Sequence, residues 1–362
     1  MITRTININN LSNQEYSLYA RHLILDNIGI NGQTKLKNAK ILIIGAGGLS
    51  SPAIIYLAAS GIGYIGIIDH DNIDISNLNR QILYNHKDIA QQKTLCAELK
   101  IQDINPKCKV IKHTYKLTAN NAREIIKHYN IVLDGSDNFK TRHIVSKFCY
   151  QLHKTHVYAG VQQFEGQMSV LNYKSSMSYF NIYTEHLYLE YYNCNDNGLL
   201  GVITGTIGIL QATESLKIFL GFGTICTQYI LMYNLLNLSF TKLKISPIKS
   251  QKVHSNNRQY KTNKNKQSYP VIISQLELQI MAQNNNSIMI IDIRDSVYFR
   301  TKHLMKSINI PFYKINLNNT LEFIQNFLAN HILIIYCSTM YRALIISYSM
   351  KHYKIPHYIL KK

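Results

Sequence analysis

Ile41-Leu-Ile-Ile-Gly45-Ala-Gly47-Gly48-Leu-Ser50-Ser-Pro52 is the stretch from which the fold of this chain is read. The run Lys40 to Ile44 is short, β-branched and stopped by glycines, as a buried parallel strand is. The glycines make a turn and a helix opens behind them, an order in which backbone N–H groups and a helix N-terminus receive phosphate. Asp69 closes the next predicted strand, Tyr64 to Asp69, about twenty residues on, where a carboxylate can bond ribose hydroxyls. Ser50 replaces the last glycine of the dinucleotide fingerprint. At this point an NAD-dependent oxidoreductase is a live alternative.

Outward from this stretch, residues 11 to 38 read as helical, and further strands are predicted at Lys109 to His113 and Ile131 to Asp134. Strands alternating with helices predict an α/β fold, a doubly wound Rossmann-like nucleotide-binding domain. The uncharged run from Ile218 to Thr241 is interrupted by Gly221-Phe-Gly223, which predicts a helix end followed by a strand. Ser246 to Pro270 has few apolar residues and no periodicity, the composition of a solvated linker. Beyond it, Ser287 to Ile293 and His331 to Tyr336 read as short parallel strands separated by helical segments, so the tail is expected to be a small second α/β domain. The expected division is therefore 1–245, a linker at 246–270, and 271–362.

Apolar residues are 46% and charged residues 16% of the 362, which suits a globular chain with an ample core. The formal net charge of +19 would attract polyanions if it were clustered. Its densest stretch is Lys242 to Lys266, and no nucleic-acid recognition module accompanies it; Asn, Lys, Ile and Tyr are over-used together, as in an AT-rich genome. Nucleic acid is not an expected partner. Six cysteines without a C-x-x-C pair or a signal peptide argue against a disulfide scaffold. Ile41 to Ile68 is uncharged and long enough to span a bilayer, but its glycines and Pro52 make it strand, turn, helix and strand, and no membrane anchor is expected.

The segments that follow Asp69 argue against hydride transfer. Asp69-His-Asp71 leads into Ser76-Asn77-Leu-Asn79-Arg80-Gln, then Ile89-Ala-Gln-Gln-Lys93, then Leu133-Asp-Gly-Ser-Asp137-Asn138. A triphosphate needs cationic donors and a Mg²⁺ held by a carboxylate, and NAD needs neither. Taken singly, Arg80 and Lys93 would be ordinary surface charges and Asp137 a turn or cap residue. As a set over roughly residues 12 to 245, in order and spacing, the motifs resemble the ubiquitin-activating-enzyme-like adenylyltransferases, the family of molybdopterin-synthase and thiamine-synthase activating proteins.

The resemblance implies that Gly45, Gly47 and Gly48 approach the phosphates of ATP and that Asp69 bonds its ribose. Ser76, Asn77, Asn79, Arg80 and Lys93 would neutralise and orient the triphosphate, and Asp137 would hold Mg²⁺ beside Asn138. Arg21, in Tyr19-Ala-Arg21-His, matches an arginine that reaches into the neighbouring subunit's ATP site, which implies a homodimer. Cys194 matches a loop where the family often carries a thiol that takes the activated acyl group or forms an acyl disulfide; the alternative is a loop cysteine with no essential role. Relatives usually bind a structural zinc through two C-x-x-C pairs. Here Ser178-Tyr-Phe-Asn181 and the stretch from Ser246 to His254 stand in those places without a thiolate, so no zinc is expected.

Near the C-terminus, Ile290-Ile-Asp292-Ile-Arg294 is followed by His303, by Asn309-Ile-Pro311, and by Tyr336-Cys337-Ser-Thr-Met-Tyr-Arg342. A cysteine between a strand and a helix lies where backbone N–H groups and the helix dipole stabilise a thiolate or persulfide. The segment resembles a rhodanese domain, with Cys337 as sulfur carrier and Arg342 closing its cradle. Lys302 and Lys306 replace glycines usual in that family, and the glycine-rich closing segment is missing.

The expected activity is ATP-dependent adenylation of the C-terminal glycine of a small ubiquitin-like sulfur carrier ending in Gly-Gly. The expected carrier is the molybdopterin-synthase small subunit, and thiamine or tRNA-thiolation carriers are the alternatives. Cys337, loaded by a persulfide donor such as a cysteine desulfurase, would supply the sulfur of a thiocarboxylate at high effective concentration. About ten residues precede the first matched helix, too few for a transit peptide, so the cytoplasm or the stroma of a plastid encoding its own copy is expected.

Overall fold

The computed structural model describes residues 11–174, 176–183, 198–244, 271–283, 287–315, 320, 323–324, 331–338, 340–353 and 355–361. The chain divides into two compact units, Met1–Tyr179 with Leu189–Ile245, and Phe180–Tyr188 with Ser246–Lys362. The expected linker, 246–270, lies outside the described residues.

In the first unit the strands are β1 (Lys40–Ile44), β2 (Tyr64–Ile68), β3 (Lys109–His113), β4 (Ile131–Asp134), β5 (Thr155–Gln162), β6 (Glu165–Leu171), β7 (Tyr229–Asn234) and β8 (Ser239–Lys244). They form one sheet in the order β3-β2-β1-β4-β5-β6-β7-β8. The first five pair in parallel and the last three are added antiparallel. Continuous apolarity in β1 has a direct cause: Ile41 and Ile43 enter one core and Leu42 and Ile44 the other. Side chains alternate across a strand, so a sheet covered on both faces needs apolar residues at every position.

The helices of this unit are α1 (Asn13–Leu18), α2 (Ala20–Leu23), α3 (Gly29–Asn38), α4 (Ser50–Ala59), α5 (Lys93–Ile104), α6 (Ala122–Ile126), α7 (Phe139–Gln151) and α8 (Gly201–Leu220). Ile54, Leu57, Ala97, Ile101, Ile203 and Ile207 place α4, α5 and α8 in one core, while Ile125, Val145 and Phe148 place α6 and α7 in the other. The stretch expected to be helical over 11–38 is three helices, broken first where buried Tyr19 accepts a bond from Asn105 Nδ2 at 2.9 Å. α8 ends at Gly221 in the left-handed conformation, and the predicted single strand behind it is the hairpin β7–β8. Asn234 and Asn237 turn that hairpin by accepting from the N–H groups of Leu236 and Ser239.

The second unit has five parallel strands, β9 (Val271–Ile273), β10 (Ile288–Asp292), β11 (Ser307–Asn309), β12 (Ile332–Tyr336) and β13 (Tyr358–Leu360), in the order β11-β10-β12-β13-β9. The two strands expected from sequence are direct neighbours, with Ile288 opposite Ile332. Helices α9 (Gln275–Gln283), α10 (Ser296–Thr301) and α11 (Met340–His352) belong to the same unit, with a 3₁₀ turn at Phe312–Lys314. No helix among the described residues is long and apolar enough to cross a membrane.

Candidate active site

Strand order reverses between β1 and β4, and in an open parallel sheet that switch point leaves a crevice beyond the strand ends. A cleft of about 360 Å³ lies there, in the size range of small-molecule sites. It collects Gly45, Gly47 and Gly48 after β1, Asp69 and Asp71 after β2, Asn77 and Arg80 from the next turns, Lys93 at the start of α5, and Asp137 and Asn138 after β4. Segments more than ninety residues apart in sequence meet only because parallel strands all end on the same side.

The glycine turn is tied to β2 by Asp69, whose Oδ2 accepts from Ala46 N at 2.7 Å while Oδ1 accepts from Asp71 N at 2.8 Å. Tyr84 fastens the same turn to α5, its hydroxyl donating toward Ala46 O at 2.9 Å and Lys93 O at 3.3 Å. Gly48 has a second reason to be glycine besides approach to phosphate. A Cβ there would stand 2.9 Å from Thr204 Oγ1 of α8, too close for any real Cβ contact.

Lys93 is buried, and its Nζ lies 3.0 Å from Oδ2 of half-exposed Asp71. A buried ammonium needs such a partner, and Asp71 supplies it where Lys93 lines the cleft. Arg80 Nη1 donates to Ser76 O at 2.8 Å and to Asn79 Oδ1 at 3.0 Å. Ser76 and Asn79 are not among the cleft-lining residues; they hold the guanidinium that is.

The turn carrying Asp137 is held more deeply. Asp134, wholly buried at the end of β4, accepts from Ser136 N at 3.0 Å, Ser136 Oγ at 2.6 Å and His156 Nε2 at 3.0 Å. Burial alone would raise the Asp134 carboxyl, but the His156 hydrogen bond and charge, the Arg142 charge and the Ser136 hydrogen bond together hold it below its ordinary value. Arg142, buried in α7, donates from Nη2 to Ser136 O at 2.7 Å, and Asn138 caps α7 by accepting from Thr141 N at 2.9 Å. Asp137 itself stays exposed, an oxygen donor presented to the cleft by a turn hydrogen-bonded from Asp134 and Arg142.

The remaining sequence candidates lie elsewhere. Arg21 is exposed on α2 and does not line the cleft. Cys194 lies outside the described residues. Cys337 and Arg342 belong to the second unit, where Cys337 is buried directly after β12 and Arg342 lies in α11. Arg342 Nη1 stands 3.9 Å from Asp295 Oδ2, and its guanidinium covers the Phe312 ring at 5.4 Å. Below the same strand ends, Arg294 pairs with Asp292 at 2.6 Å and lies over Tyr336 at 5.1 Å.

Where a first zinc-binding pair would stand, Tyr179–Asn181 forms one 3₁₀ turn. Tyr179 is fully buried, its ring 5.2 Å from that of His143 and 5.0 Å from that of Tyr158, and its N–H donates to Ser146 Oγ at 3.2 Å. Aromatic packing therefore fastens this turn.

The cleft also contains residues that sequence reading passed over: Asp71, Tyr115, Arg142 and Thr204. Asp71 had a local signal in Asp69-His-Asp71, and Arg142 one in its place a turn beyond Asn138. Thr204 had none, since only packing of α8 brings it to the glycine turn, and Tyr115 follows the predicted strand β3 with no motif to mark it.

The ThiF family matches residues 19–254 and the rhodanese-like domain matches residues 274–361. The chain is 46% identical to a probable molybdopterin-synthase adenylyltransferase of Gracilaria tenuistipitata var. liui, over 98% of this chain and 99% of that one. It is 34% identical to the adenylyltransferase and sulfurtransferase MOCS3 of Aedes aegypti, over 84% of this chain and 74% of that one. Among solved structures, E. coli MccB with ATP shares the fold at a TM-score of 0.55 and 18% identity, covering 66% of this chain and 80% of that one.

Proposed function

The chain belongs to the ThiF family and carries a rhodanese-like domain, and from that premise we propose how its residues divide the work of activating a sulfur carrier. It is an adenylyltransferase that uses ATP to activate the C-terminal carboxylate of a small sulfur-carrier protein. The observation that carries the assignment of roles is the cleft at the switch point, which gathers Arg80 and Lys93, the carboxylates Asp69, Asp71 and Asp137, and the glycine turn into one lining.

The glycine turn and the cations Arg80 and Lys93 receive the triphosphate, and Asp69 takes the ribose. A carrier carboxylate oxygen then attacks the α-phosphorus, the bond to the pyrophosphate breaks, and an acyl adenylate remains. No side-chain nucleophile is needed; positioning and charge neutralisation lower the barrier. Asp137 suits a hard divalent cation because it offers an exposed oxygen donor, whereas the Asp71 carboxylate is paired with Lys93. Mg²⁺ bound there would neutralise charge on the phosphates.

A persulfide on Cys337, loaded by a donor such as a cysteine desulfurase, attacks the acyl carbon and releases AMP. The resulting acyl disulfide is opened by a thiol, with Cys194 as the candidate, to leave the carrier thiocarboxylate and a protein disulfide. The preferred carrier is the molybdopterin-synthase small subunit, and thiamine and tRNA-thiolation carriers are the alternatives. Exposed Arg21 supports a homodimer in which it reaches the partner's cleft. Residues 1–245 and 271–362 act as the two modules, joined by 246–270. The AT-like composition and the red-algal relatives support a plastid stroma over the cytoplasm.

The deciding experiment is ATP–pyrophosphate exchange with the candidate carriers, run beside Asp137→Ala. Carrier-dependent exchange that this variant loses is the expected result. Exchange with none of the carriers would overturn the reading.

A further inference from the structure

The cleft has two chemically different ends. Asp69 stands between them: its side chain accepts from Ala46 N in the glycine turn, while its own N–H donates to His113 O, at the end of β3, at 3.1 Å. With phosphates on the glycine turn and the sugar at Asp69, the base continues toward the end of β3. There the cleft is lined by Tyr115, Lys116 and Leu117. Tyr115 contributes the one phenol ring among the described lining residues, and it is 46% exposed.

That ring is tied through partly buried His113 to Tyr129 in the core. The Tyr115 hydroxyl lies 3.0 Å from His113 Nδ1, and the Tyr129 hydroxyl lies 3.1 Å from His113 Nε2. Both tyrosine rings meet the imidazole edge to face, at 5.7 and 6.4 Å between centroids. Burial lowers the pKa of His113, with the His128 charge adding to it, so the ring is neutral near pH 7. A neutral imidazole has one donor and one acceptor, and a phenol can play either part, so both bonds are satisfied in either tautomer. Buried Tyr129 is itself fixed, because its hydroxyl occupies the place a side chain on β2 would fill: a Cβ on Gly66 would stand 2.2 Å from it.

We propose that Tyr115, held by His113 and Tyr129, is the stacking platform for the adenine of ATP, an inference that rests on the adenylation reading above. A purine offers two flat apolar faces, and an anchored aromatic ring receives one without losing side-chain freedom on binding. Tyr115 thereby contributes to nucleotide affinity and takes no part in the attack on the α-phosphorus.

The test is calorimetric binding of ATP with Mg²⁺ and, separately, of inorganic tripolyphosphate with Mg²⁺, to the full chain and to Tyr115→Ala, Tyr115→Phe and Tyr129→Phe. Tyr115→Ala is expected to weaken ATP about tenfold, the scale of losing one base stack, and to leave tripolyphosphate unchanged. Tyr115→Phe and Tyr129→Phe, which keep the ring but cut the anchor, are expected to weaken ATP by about threefold or less. Unchanged ATP binding in Tyr115→Ala would overturn the proposal, and so would equal losses for ATP and tripolyphosphate, which would mark a structural role. Binding is read without any carrier, so absence of carrier-dependent exchange in the unmodified chain would count against the adenylation reading alone.

Discussion

The cleft of the first unit and the Cys337 loop of the second are both built where parallel strands end, yet they are opposite in construction. The cleft is open, charged and assembled from several separate segments. In the second unit Cys337 and Arg342 lie five residues apart on one loop and helix, and both are buried. The contrast follows from the chemistry each can do. A triphosphate carries charge over several oxygens and must be met by several fixed charges, each lying near water or beside a partner as Lys93 lies beside Asp71. A single sulfur nucleophile needs one thiol and shielding from solvent, and a buried cysteine at a strand end answers that need within a few residues.

If the two sites are chemically independent, Cys337→Ala separates them. Sulfur transfer from thiosulfate is expected to fall roughly a thousandfold or more, while ATP–pyrophosphate exchange stays at the unmodified rate. A parallel loss of exchange would break the comparison. Asp137→Ala is the converse, with exchange down about a hundredfold or more and thiosulfate sulfur transfer unaffected.

A third measurement sharpens the account of the first unit's scaffold. Because Tyr179 is buried against His143 and Tyr158, Tyr179→Ala is expected to lower stability by about 3 to 5 kcal/mol in denaturant unfolding. A zinc chelator is expected to leave the unmodified chain's Tm where it was; a fall in Tm would assign this turn to a metal after all.

The smallest effect concerns the buried carboxylate under the Asp137 turn. Asp134 is held below its ordinary pKa in the folded chain. Its contribution to stability is therefore complete above the unfolded value, near 3.9, and is lost as pH falls through the depressed folded one. The expected loss is about 1.4 kcal/mol for each unit of depression. Unfolding followed from pH 5 downward, as a rough window, is expected to show a shallower acid limb in Asp134→Asn than in the unmodified chain. Identical slopes would mean that the pair with His156 does not favour the ionised form.

The strand, glycine turn and helix around Gly45 were legible because they are set by local rules: β-branched residues at successive positions, glycines where the chain must turn, and a helix behind them. The β7–β8 hairpin was less so, since the turn residues Asn234 and Asn237 lie inside an otherwise apolar run. The identity of the charged motifs could be read because each keeps its residues within a few positions. Their convergence could not, nor could the division of labour in which Ser76 and Asn79 support Arg80 instead of lining the cleft.

By itself the sequence determined the α/β class, the second small α/β unit and the family resemblance, all of which rest on short-range pattern and residue type. Only the tertiary structure decided that Gly48 must clear Thr204, that Asp71 would hold Lys93, that His156 would pair with Asp134 beneath the turn of Asp137, and that Tyr115 would stand at the far end of the cleft. Each of these joins residues distant in the chain, and a distance between such residues exists only once the sheet has brought its strand ends side by side.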